Sequence, residues 1–424
     1  MRIIIAGGGL MGVTSAYLLA RSGHEVVLVE RRSGTGLETS FANGSLLTPS
    51  MAEPWNSPGC WRVLLSSIGR SDAALQVRIR ALPGLAGWGV SFLRNSAVSS
   101  YQRSALSNLR LALYSSQVLR ELRESLSLEY GREARGTLRL FRSPEMFARA
   151  DLAARRLESE GLAHRSLSGA DVSALEPALA PLASQLAGAI HYPGDETGNA
   201  HRFCTAMTEH ARREGVEFRL DTVVTSIETR AGQVTGLICG SERLVGDKYV
   251  VAAGSYSTPL LRTAGVELPV RPAKGYSISF PRAYAQPPLT TPVVDDERHA
   301  VVVPLEGGLR IAGAAEFVGY NLSLDPIRIR KLLEWVREVI PQERFDASEA
   351  RPWCGLRPMS ADGVPIIGPT HLPNLLVNAG HGHLGWTLVA GSCQLLADIV
   401  CGGTPAVDAD LFSLTRFAAA RRMA

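Results

Sequence analysis

The chain has 424 residues, and 46% of them are hydrophobic, so it is long enough to form two domains with large buried cores. Its 44 basic and 40 acidic residues give a formal charge of +4 and form no basic stripe, which argues against a nucleic-acid-binding surface. The six cysteines have no Cys-x-x-Cys or zinc-ribbon spacing, which favours free thiols in a reducing compartment, so we expect a cytoplasmic protein.

The N-terminal segment predicts a strand, a glycine turn and a helix. The apolar run Ile3 to Ile5 suits a buried parallel strand, and the residues after the turn have helix-compatible spacing. The turn reads Gly7-x-Gly9-x-x-Gly12, a pattern that lets the backbone approach a pyrophosphate at a helix N-terminus. Although the uncharged run resembles a signal peptide or a short membrane anchor, glycines at fixed intervals are not expected in such segments.

A second predicted strand, EVVLVE, ends at Glu30, 18 residues after Gly12, where a carboxylate can accept hydrogen bonds from a ribose. Together with the glycine turn, this spacing predicts a dinucleotide-binding site. Arg31 and Arg32 follow, and they would suit the 2'-phosphate of NADP, but Glu30 would repel that phosphate. We therefore interpret the two arginines as exposed residues after a strand.

The next segments differ from a typical NAD dehydrogenase, in which further strand and helix units follow directly. A loop rich in Ser, Pro, Gly and Asn, ETSFANGSLLTPSMAEPWNSPGCW, is suited to wrapping a cofactor. Helical patterns lie at residues 108–128 and 327–339, and strand patterns occur in GTLRLFRS, YSISF, AVVVPL and LRIAGAAEF. The run KYVVAAG, which ends at residue 254, finishes in small residues that would let a cofactor pass close to the strand end.

Near the C-terminus, NAGHGHLGW lies between a predicted buried strand, residues 375–377, and a predicted helix, residues 386–400, with Gly402 as its stop. A loop in that position presents backbone NH groups and the positive end of a helix dipole, which suits a negatively charged group. We expect no metal here, because His381 and His383 supply two ligands and no third ligand stands at a usual spacing.

Five motifs, in this order, resemble the FAD-dependent D-amino-acid dehydrogenases of the small-subunit type: ETSFANGSLLTPSMAEPWNSPG, HYPGDETGNAHRF, KGYSISF, GLRPMSADGVPIIGPT and NLLVNAGHGHLGWTLVAGSCQLLADI. That family lies within the superfamily of D-amino-acid oxidase, glycine oxidase and sarcosine oxidase. The resemblance runs from residue 1 to about residue 415, and it implies FAD rather than NAD. It also implies that the C-terminal loop abuts the isoalloxazine ring, where a helix N-terminus would stabilise the negative charge of reduced flavin.

The patterns and the resemblance predict an α/β fold with two domains. A Rossmann-like FAD-binding domain would be assembled from discontinuous segments, and a substrate-binding domain with a mixed or antiparallel sheet would lie over the flavin, as in D-amino-acid oxidase. We place the FAD-binding domain at residues 1–80, 165–262 and 345–424. The substrate-binding domain takes residues 81–164 and 263–344.

The predicted FAD contacts belong to the glycine turn, the end of the second strand, the wrapping loop, the KYVVAAG segment and the C-terminal loop. They are Gly7, Gly9, Leu10, Met11, Gly12, Glu30, Arg31, Thr39, Ser40, Asn43, Gly44, Leu46, Val224, Ala253, Gly254, Gly380, His381, Gly382, His383, Leu384, Gly385, Trp386 and Thr387. His381 matches the family motif and is expected to hold the loop. His383 stands where the family usually has a small residue such as Thr.

Two catalytic candidates are expected on the substrate side. The resemblance implies that Arg357, in a Gly-Leu-Arg-Pro motif, binds the substrate carboxylate, for which a planar and permanently charged guanidinium is suited. Tyr276, in KGYSISF, would either offer its hydroxyl to the carboxylate or amine or be a half-buried strand aromatic. Lys274 would either lie near the flavin or be a solvated charge at a strand end, and we favour the second interpretation.

Three further residues are tentative parts of the substrate pocket. Met51 stands where the family has a tyrosine, so the pocket would be more apolar. Glu53 would attract a cationic side chain or face water, and His383 would line the pocket or fill space. The substrate preference therefore stays open at this point.

The resemblance implies oxidative deamination of a D-amino acid, or of a cyclic D-imino acid such as D-proline or hydroxyproline. Hydride would pass from Cα to flavin N5, and the electrons would pass to a quinone-type or artificial acceptor. Two alternatives stay open: a flavin-carrying subunit of a multi-subunit amino-acid or opine-type dehydrogenase, inactive alone, and an NADP-dependent reductase. The apolar stretch from Cys60 to Arg94, interspersed with arginines, would pack on the core or rest on the inner face of a membrane to meet quinone.

Overall fold

The structure is a computed structural model that describes residues 1–67 and 75–417. Part of the apolar stretch from Cys60 to Arg94 and the last residues of the predicted FAD-binding domain lie outside these ranges. The strands are β1 (Arg2–Ala6), β2 (Glu25–Val29), β3 (Leu46–Leu47), β4 (Leu75–Val77), β5 (Thr137–Phe141), β6 (Arg165–Leu167), β7 (Gly188–Tyr192), β8 (Glu196–Thr197), β9 (Glu217–Arg219), β10 (Ser226–Arg230), β11 (Gln233–Cys239), β12 (Glu242–Leu244), β13 (Lys248–Val251), β14 (Val270–Phe280), β15 (Val293–Asp295), β16 (Ala300–Leu305), β17 (Gly308–Phe317), β18 (Arg351–Ser360), β19 (Ile366–Pro369) and β20 (Leu375–Ala379).

The α-helices are α1 (Leu10–Arg21), α2 (Cys60–Ser67), α3 (Leu82–Arg94), α4 (Val98–Leu126), α5 (Pro144–Leu157), α6 (Gly169–Leu175), α7 (Ala180–Ala183), α8 (Ala200–Arg213), α9 (Ser257–Arg262), α10 (Pro326–Val339) and α11 (Gly385–Cys401). Short 3₁₀ helices lie at Pro49–Met51, Ile79–Ala81, Glu158–Glu160, Pro177–Leu179, Gly254–Tyr256 and Ala409–Phe412. The predicted C-terminal helix is confirmed, and Gly402 ends it in the left-handed region (φ +71°), which glycine adopts without strain. The helix predicted at residues 108–128 is α4, which begins ten residues earlier.

The first layer of the fold is a six-stranded sheet with the order β19-β20-β13-β1-β2-β9. All neighbouring pairs are parallel except β19 with β20. Because side chains alternate along a strand, Ile3 and Ile5 of β1 pack on one face, against α1, α4, α8 and α11, while Ile4 packs on the other. The three-stranded sheet β10-β11-β12 and α9 cover that second face. This layer has the Rossmann-like architecture that the sequence predicts.

The second layer is a larger sheet with the order β18-β14-β17-β16-β15-β5-β7-β6, and β4 pairs with β17. It is mostly antiparallel, with parallel pairs only at β15 with β5 and at β4 with β17 among its pairings in the described residues. Helix α10 packs one face through Leu332, Trp335 and Val336. The predicted architecture is therefore seen: an α/β nucleotide-binding layer lies beside a mixed, mostly antiparallel sheet.

The pairing of strands does not follow the predicted domain boundaries everywhere. Strands β6 and β7 lie within residues 165–262 and β18 lies within residues 345–424, yet all three pair in the larger sheet. Helix α4 lies within residues 81–164 but packs with α1 and α11 beside the six-stranded sheet. The boundaries themselves stay a prediction.

Candidate active site

A cavity of about 890 Å³ lies between the two layers. Three segments that are far apart in the sequence line it: the glycine turn after β1, the segment after β13 and the loop before α11. Strands β14, β17 and β18 of the larger sheet close its other side. The predicted convergence of the glycine-bearing segments is therefore seen in the structure.

The glycine turn is built for close approach of the backbone. Gly7 has φ +112°, and a Cβ atom there would lie 2.6 Å from the carbonyl oxygen of Ala252. A Cβ at Gly12 would lie 1.8 Å from the carbonyl oxygen of Gly7, so α1 can pack on the turn only with glycine at that position. As a result, the N-terminus of α1 opens into the cavity, where its NH groups can bind phosphate.

The carboxylate of Glu30 is fixed at the end of β2. Its Oε2 accepts a hydrogen bond from the backbone NH group of Gly8 (2.6 Å), and its Oε1 accepts one from the backbone NH group of Arg32 (2.9 Å). Arg32 is exposed, as expected, but the expectation for Arg31 was wrong. Arg31 is half-buried because its guanidinium lies over the ring of Tyr256, with Cζ 3.7 Å from the ring centroid.

Most of the predicted FAD contacts line the cavity. Gly12, Gly380, Leu384 and Thr387 are not part of the wall. Gly12 contributes by allowing α1 to pack on the glycine turn. The Thr387 hydroxyl oxygen accepts a hydrogen bond from the NH group of Thr48 (3.0 Å), which connects the wrapping loop to α11.

Arg357 projects from β18 into the cavity. Its Nη1 donates to the carbonyl oxygen of Ala314 (3.0 Å), and Cζ lies 5.5 Å from the ring centroid of Trp55. A Cβ at Gly275 would lie 2.1 Å from Nη1, so the absence of a side chain there makes room for the guanidinium. Burial lowers the pKa of Arg357 to about 10. Within residues 1–67 and 75–417, no carboxylate forms an ion pair with it.

A β-bulge in β17 positions the acceptor for Arg357. Opposite Lys274 and Tyr276 of β14 stand Glu316 and Gly313, so β17 contains one residue more than its partner at this point. Ala314 lies in the bulge and has φ +55°, which is uncommon for a residue with a side chain. The strained backbone presents the carbonyl group to the guanidinium.

Tyr276 is not brought together with Arg357. In the β14–β18 register, Tyr276 is opposite Cys354 and Arg357 is opposite Ala273, so the two side chains point to opposite faces. The Tyr276 hydroxyl donates to Oε2 of Glu316 (2.7 Å), within the core that α10 covers. Tyr276 is also among the residues that line the cavity, and its contact with substrate stays a prediction.

The expectation that Lys274 is solvated was wrong. The side chain is buried on the same face as Tyr276, and Nζ lies 3.3 Å from Oε2 of Glu316. Nζ also donates to the carbonyl oxygen of Ser323 (2.9 Å), and Arg328 donates to Oε1 of Glu316 (2.8 Å). Two cations therefore share one buried carboxylate behind the sheet.

The two histidines of the C-terminal loop are held in different ways. Nε2 of His381 lies 3.1 Å from the hydroxyl of Ser392 in α11, and burial lowers its pKa to about 3. His383 donates through Nε2 to the carbonyl oxygen of Met51 (3.2 Å) and stacks on Trp55, with the centroids 5.4 Å apart. Burial lowers the pKa of His383 to about 4, so both rings are neutral at pH 7.

Met51 and Glu53 line the cavity, as predicted, together with several residues that sequence reasoning missed. The missed charged and aromatic ones include Tyr101 of α4, Arg139 of β5 and Asp296 after β15. They come from three separate elements with ordinary local patterns, so only the tertiary structure could reveal them. Among the described residues, no group of three or more His, Cys, Asp and Glu side chains is arranged to hold a metal ion.

The family described as FAD dependent oxidoreductase matches residues 2–399. The chain is 40% identical to the D-amino acid dehydrogenase of Paramagnetospirillum magneticum over 98% of this chain and 99% of that protein. It is 42% identical to the D-amino acid dehydrogenase of Dechloromonas aromatica, over 96% of this chain and 98% of that protein.

Solved structures show the same fold. Glycine oxidase from Geobacillus kaustophilus has a TM-score of 0.75 and 25% identity, covering 98% of this chain and 99% of that one. L-proline dehydrogenase from P. horikoshii has a TM-score of 0.77 and 17% identity, covering 99% and 98%. The chain belongs to the family of FAD dependent oxidoreductases.

The residues of the cavity fit FAD. The turn around Gly7 leaves no room for a side chain, the N-terminus of α1 can bind the pyrophosphate, and Glu30 can accept hydrogen bonds from a ribose. The cavity then continues to Arg357, which leaves space for a ring system beside a substrate. In the described part of the chain, we find no helix with the length and apolarity needed to cross a membrane.

Proposed function

We propose that this protein is an FAD-dependent dehydrogenase that oxidises D-amino acids or cyclic D-imino acids. The observation that carries the proposal is Arg357, a half-buried guanidinium in the cavity wall without a carboxylate partner in the described residues. A partly desolvated cation without a counter-ion favours an anionic ligand, and the carboxylate of an amino acid matches the guanidinium fork. The names of the relatives, D-amino acid dehydrogenases at 40% and 42% identity, support the same substrate class.

FAD, when bound, supplies the acceptor for the hydride that leaves Cα of the substrate. The residues of the chain bind and orient the substrate. Arg357 holds the carboxylate, the Ala314 carbonyl and the Trp55 ring hold Arg357, and the neutral His383 holds the loop of Met51 through a hydrogen bond. The substrate nitrogen loses a proton, and the resulting imino acid is hydrolysed by water to a 2-oxo acid and ammonia, while a cyclic substrate stays as the imine.

A panel of D- and L-amino acids tests the substrate class. The purified protein, loaded with FAD, is mixed with each compound without oxygen, and bleaching of the flavin absorption band is followed. We expect bleaching by D-amino or D-imino acids, and bleaching by L-amino acids alone would contradict the proposal. If bleaching appears only after addition of a co-purified protein, the alternative of a flavin-carrying subunit is supported instead.

For the electron acceptor we propose a quinone reached at the surface of a membrane. Helices α2 and α3 pack in one apolar cluster with Trp88 and Phe92 inside. The outer surfaces of α2, α3 and the 3₁₀ helix Ile79–Ala81 expose four large apolar side chains and three arginines: Trp61, Leu82, Val90, Leu93, Arg62, Arg80 and Arg94. Apolar side chains flanked by basic ones are typical of elements that rest on anionic lipid.

Sedimentation with phosphatidylglycerol vesicles tests this contact. We expect the wild-type protein to sediment with the vesicles and the double variant Val90→Glu/Leu93→Glu to stay in the supernatant with unchanged reduction by a soluble substrate. Equal sedimentation of the two proteins would contradict the proposed contact.

A further inference from the structure

Two oppositely charged side chains line the same cavity at separate places. Arg357 projects from β18, and Glu53 belongs to the loop that follows the 3₁₀ helix Pro49–Met51. Within the described residues, Glu53 has no hydrogen bond and no ion pair, and more than a third of its surface is exposed. The cavity therefore has a free cation at one place and a free carboxylate at another.

Arg139 is a described cation close enough to Glu53 to feel its charge, and it already has a partner. Nε of Arg139 donates to Asp296 (2.9 Å). This pair is neutral as a unit, so Glu53 adds a negative charge to this part of the wall. A positively charged ligand group would therefore be attracted to it.

The position of Glu53 beside the wall is supported by its neighbours. The pKa of Tyr101 is raised first by burial and then by the negative charge of Glu53, and the Tyr101 side chain also lines the cavity. Trp55 is two residues further along the chain, and its ring contacts Arg357. Glu53 therefore belongs to the same loop as the aromatic ring that contacts Arg357.

We propose that Glu53 is a specificity-determining residue that selects D-amino acids with a positively charged side chain. The proposal rests on the proposed function, because Arg357 must hold the carboxylate at the other end of the same molecule. An extended lysine places its ammonium roughly 7 Å from its carboxylate carbon, since each carbon–carbon bond is about 1.5 Å long. A lysine-like ligand carries a group of opposite charge for each of the two residues, whereas an apolar amino acid leaves Glu53 to water.

Binding of two carboxylic acids that cannot be oxidised tests the proposal without turnover. 6-Aminohexanoate has the carboxylate and terminal ammonium of lysine at the same separation, and hexanoate lacks the ammonium. Their dissociation constants are measured by calorimetry on the FAD-loaded protein at pH 7. We expect 6-aminohexanoate to bind about tenfold more tightly than hexanoate, as fits one partly exposed ion pair.

The variant Glu53→Gln keeps the shape of the side chain and removes its charge. We expect it to bind the two acids equally, with the affinity for hexanoate unchanged, while Glu214→Gln, an exposed carboxylate at the end of α8, behaves as the wild type. Equal affinities in the wild type, or a preference that persists in Glu53→Gln, would overturn the assignment of Glu53.

Turnover supplies a second readout. D-lysine and D-norleucine differ by the terminal ammonium, and we expect the ratio of their kcat/KM values to fall about tenfold in Glu53→Gln, mainly through KM. An equal loss for both substrates would show that Glu53 contacts a part common to all amino acids, and it too would overturn the proposal. If no D-amino acid reduces the flavin but 6-aminohexanoate still binds through Glu53, the proposed function fails and the assignment of Glu53 stands.

Discussion

The two faces of the β14–β18 strand pair hold their cations in different ways. Behind the sheet, Lys274 and Arg328 both contact the carboxylate of Glu316, which also accepts a hydrogen bond from Tyr276. On the cavity side, Arg357 donates a hydrogen bond to a carbonyl group and contacts an aromatic ring. It forms no ion pair with a carboxylate in the described part of the chain.

The presence or absence of a carboxylate partner distinguishes a charge that stabilises the fold from a charge that is available to bind a ligand. A buried ion is tolerated when the protein itself supplies the counter-ion, and such a network stabilises only the fold. A buried ion without a counter-ion lowers stability until a ligand provides one. The comparison therefore predicts that the two faces respond differently to the loss of a charge.

The largest effect is expected for Glu316→Gln, which leaves two buried cations without their carboxylate. Removal of one partner from a buried ion pair lowers the free energy of unfolding by about 3–5 kcal/mol. Urea unfolding followed by circular dichroism measures this loss. Glu228→Gln is the control, because Glu228 is exposed and its pair with Arg243 should contribute little to stability. Similar losses in both variants would contradict the structural role of the Glu316 network.

Arg357→Met should affect activity rather than stability. We expect kcat/KM for a D-amino acid to fall about 100- to 1000-fold, the range for loss of a desolvated charge pair with a ligand. The free energy of unfolding should not decrease, because the variant removes a half-buried cation that forms no ion pair within the described residues. Steady-state kinetics and urea unfolding are compared on one preparation. A variant with nearly normal kcat/KM would show that another group binds the carboxylate.

Asp195 extends the comparison to a buried carboxylate that is bonded to hydroxyl groups. It accepts hydrogen bonds from Ser50 and from Thr137 (2.6 Å), and burial raises its pKa to about 6. Because the folded state holds the proton more tightly than the unfolded state, its contribution to stability is largest below the ordinary pKa and is lost as the pH rises through about 6.

The variant Asp195→Asn places an amide, which does not ionise, at this position. We expect the stability difference in favour of the variant to grow between about pH 4 and pH 6. It should reach about 3 kcal/mol at pH 7. Unfolding at pH 4, 5, 6 and 7 measures the difference. A difference that does not depend on pH would contradict the raised pKa of Asp195.

The smallest effect is expected for Gly275→Ala, which alters the space around Arg357 without changing a charge. The new Cβ would lie 2.1 Å from Nη1, so the guanidinium must move, and a flexible side chain can do so. We expect KM for a D-amino acid to rise on the order of tenfold because the clamp is displaced from its position. Gly87→Ala, which meets no atom within 4 Å on α3, is the control and should leave KM unchanged.

Local patterns predicted the parts of the site that consist of neighbours in sequence. The glycine turn, Glu30 and the loop before α11 are seen where the sequence predicts them, because strand, turn and helix are set by residues close along the chain. The side of the sheet that Tyr276 faces was not predictable in this way. It depends on the register of β14 with β18, a strand about 80 residues away in the sequence, and a shift of one residue would reverse it.

The buried Lys274 and the cavity residues Tyr101, Arg139 and Asp296 illustrate the same limit. A lysine at a strand end is usually solvated, and only the bulged β17 brings Glu316 to it. Strand periodicity also gave no reason to assign β6, β7 and β18 to the larger sheet, because any of them would suit either layer.

The sequence by itself determined a glycine turn between a strand and a helix and a helix after the histidine–glycine loop, since these features depend on backbone conformation over a few residues. Only the tertiary structure decided which charges are neutralised. Counter-ions come from distant strands and loops, so Arg357 and Glu53 are recognisable as charges without an ion pair only once the partners in residues 1–67 and 75–417 are placed.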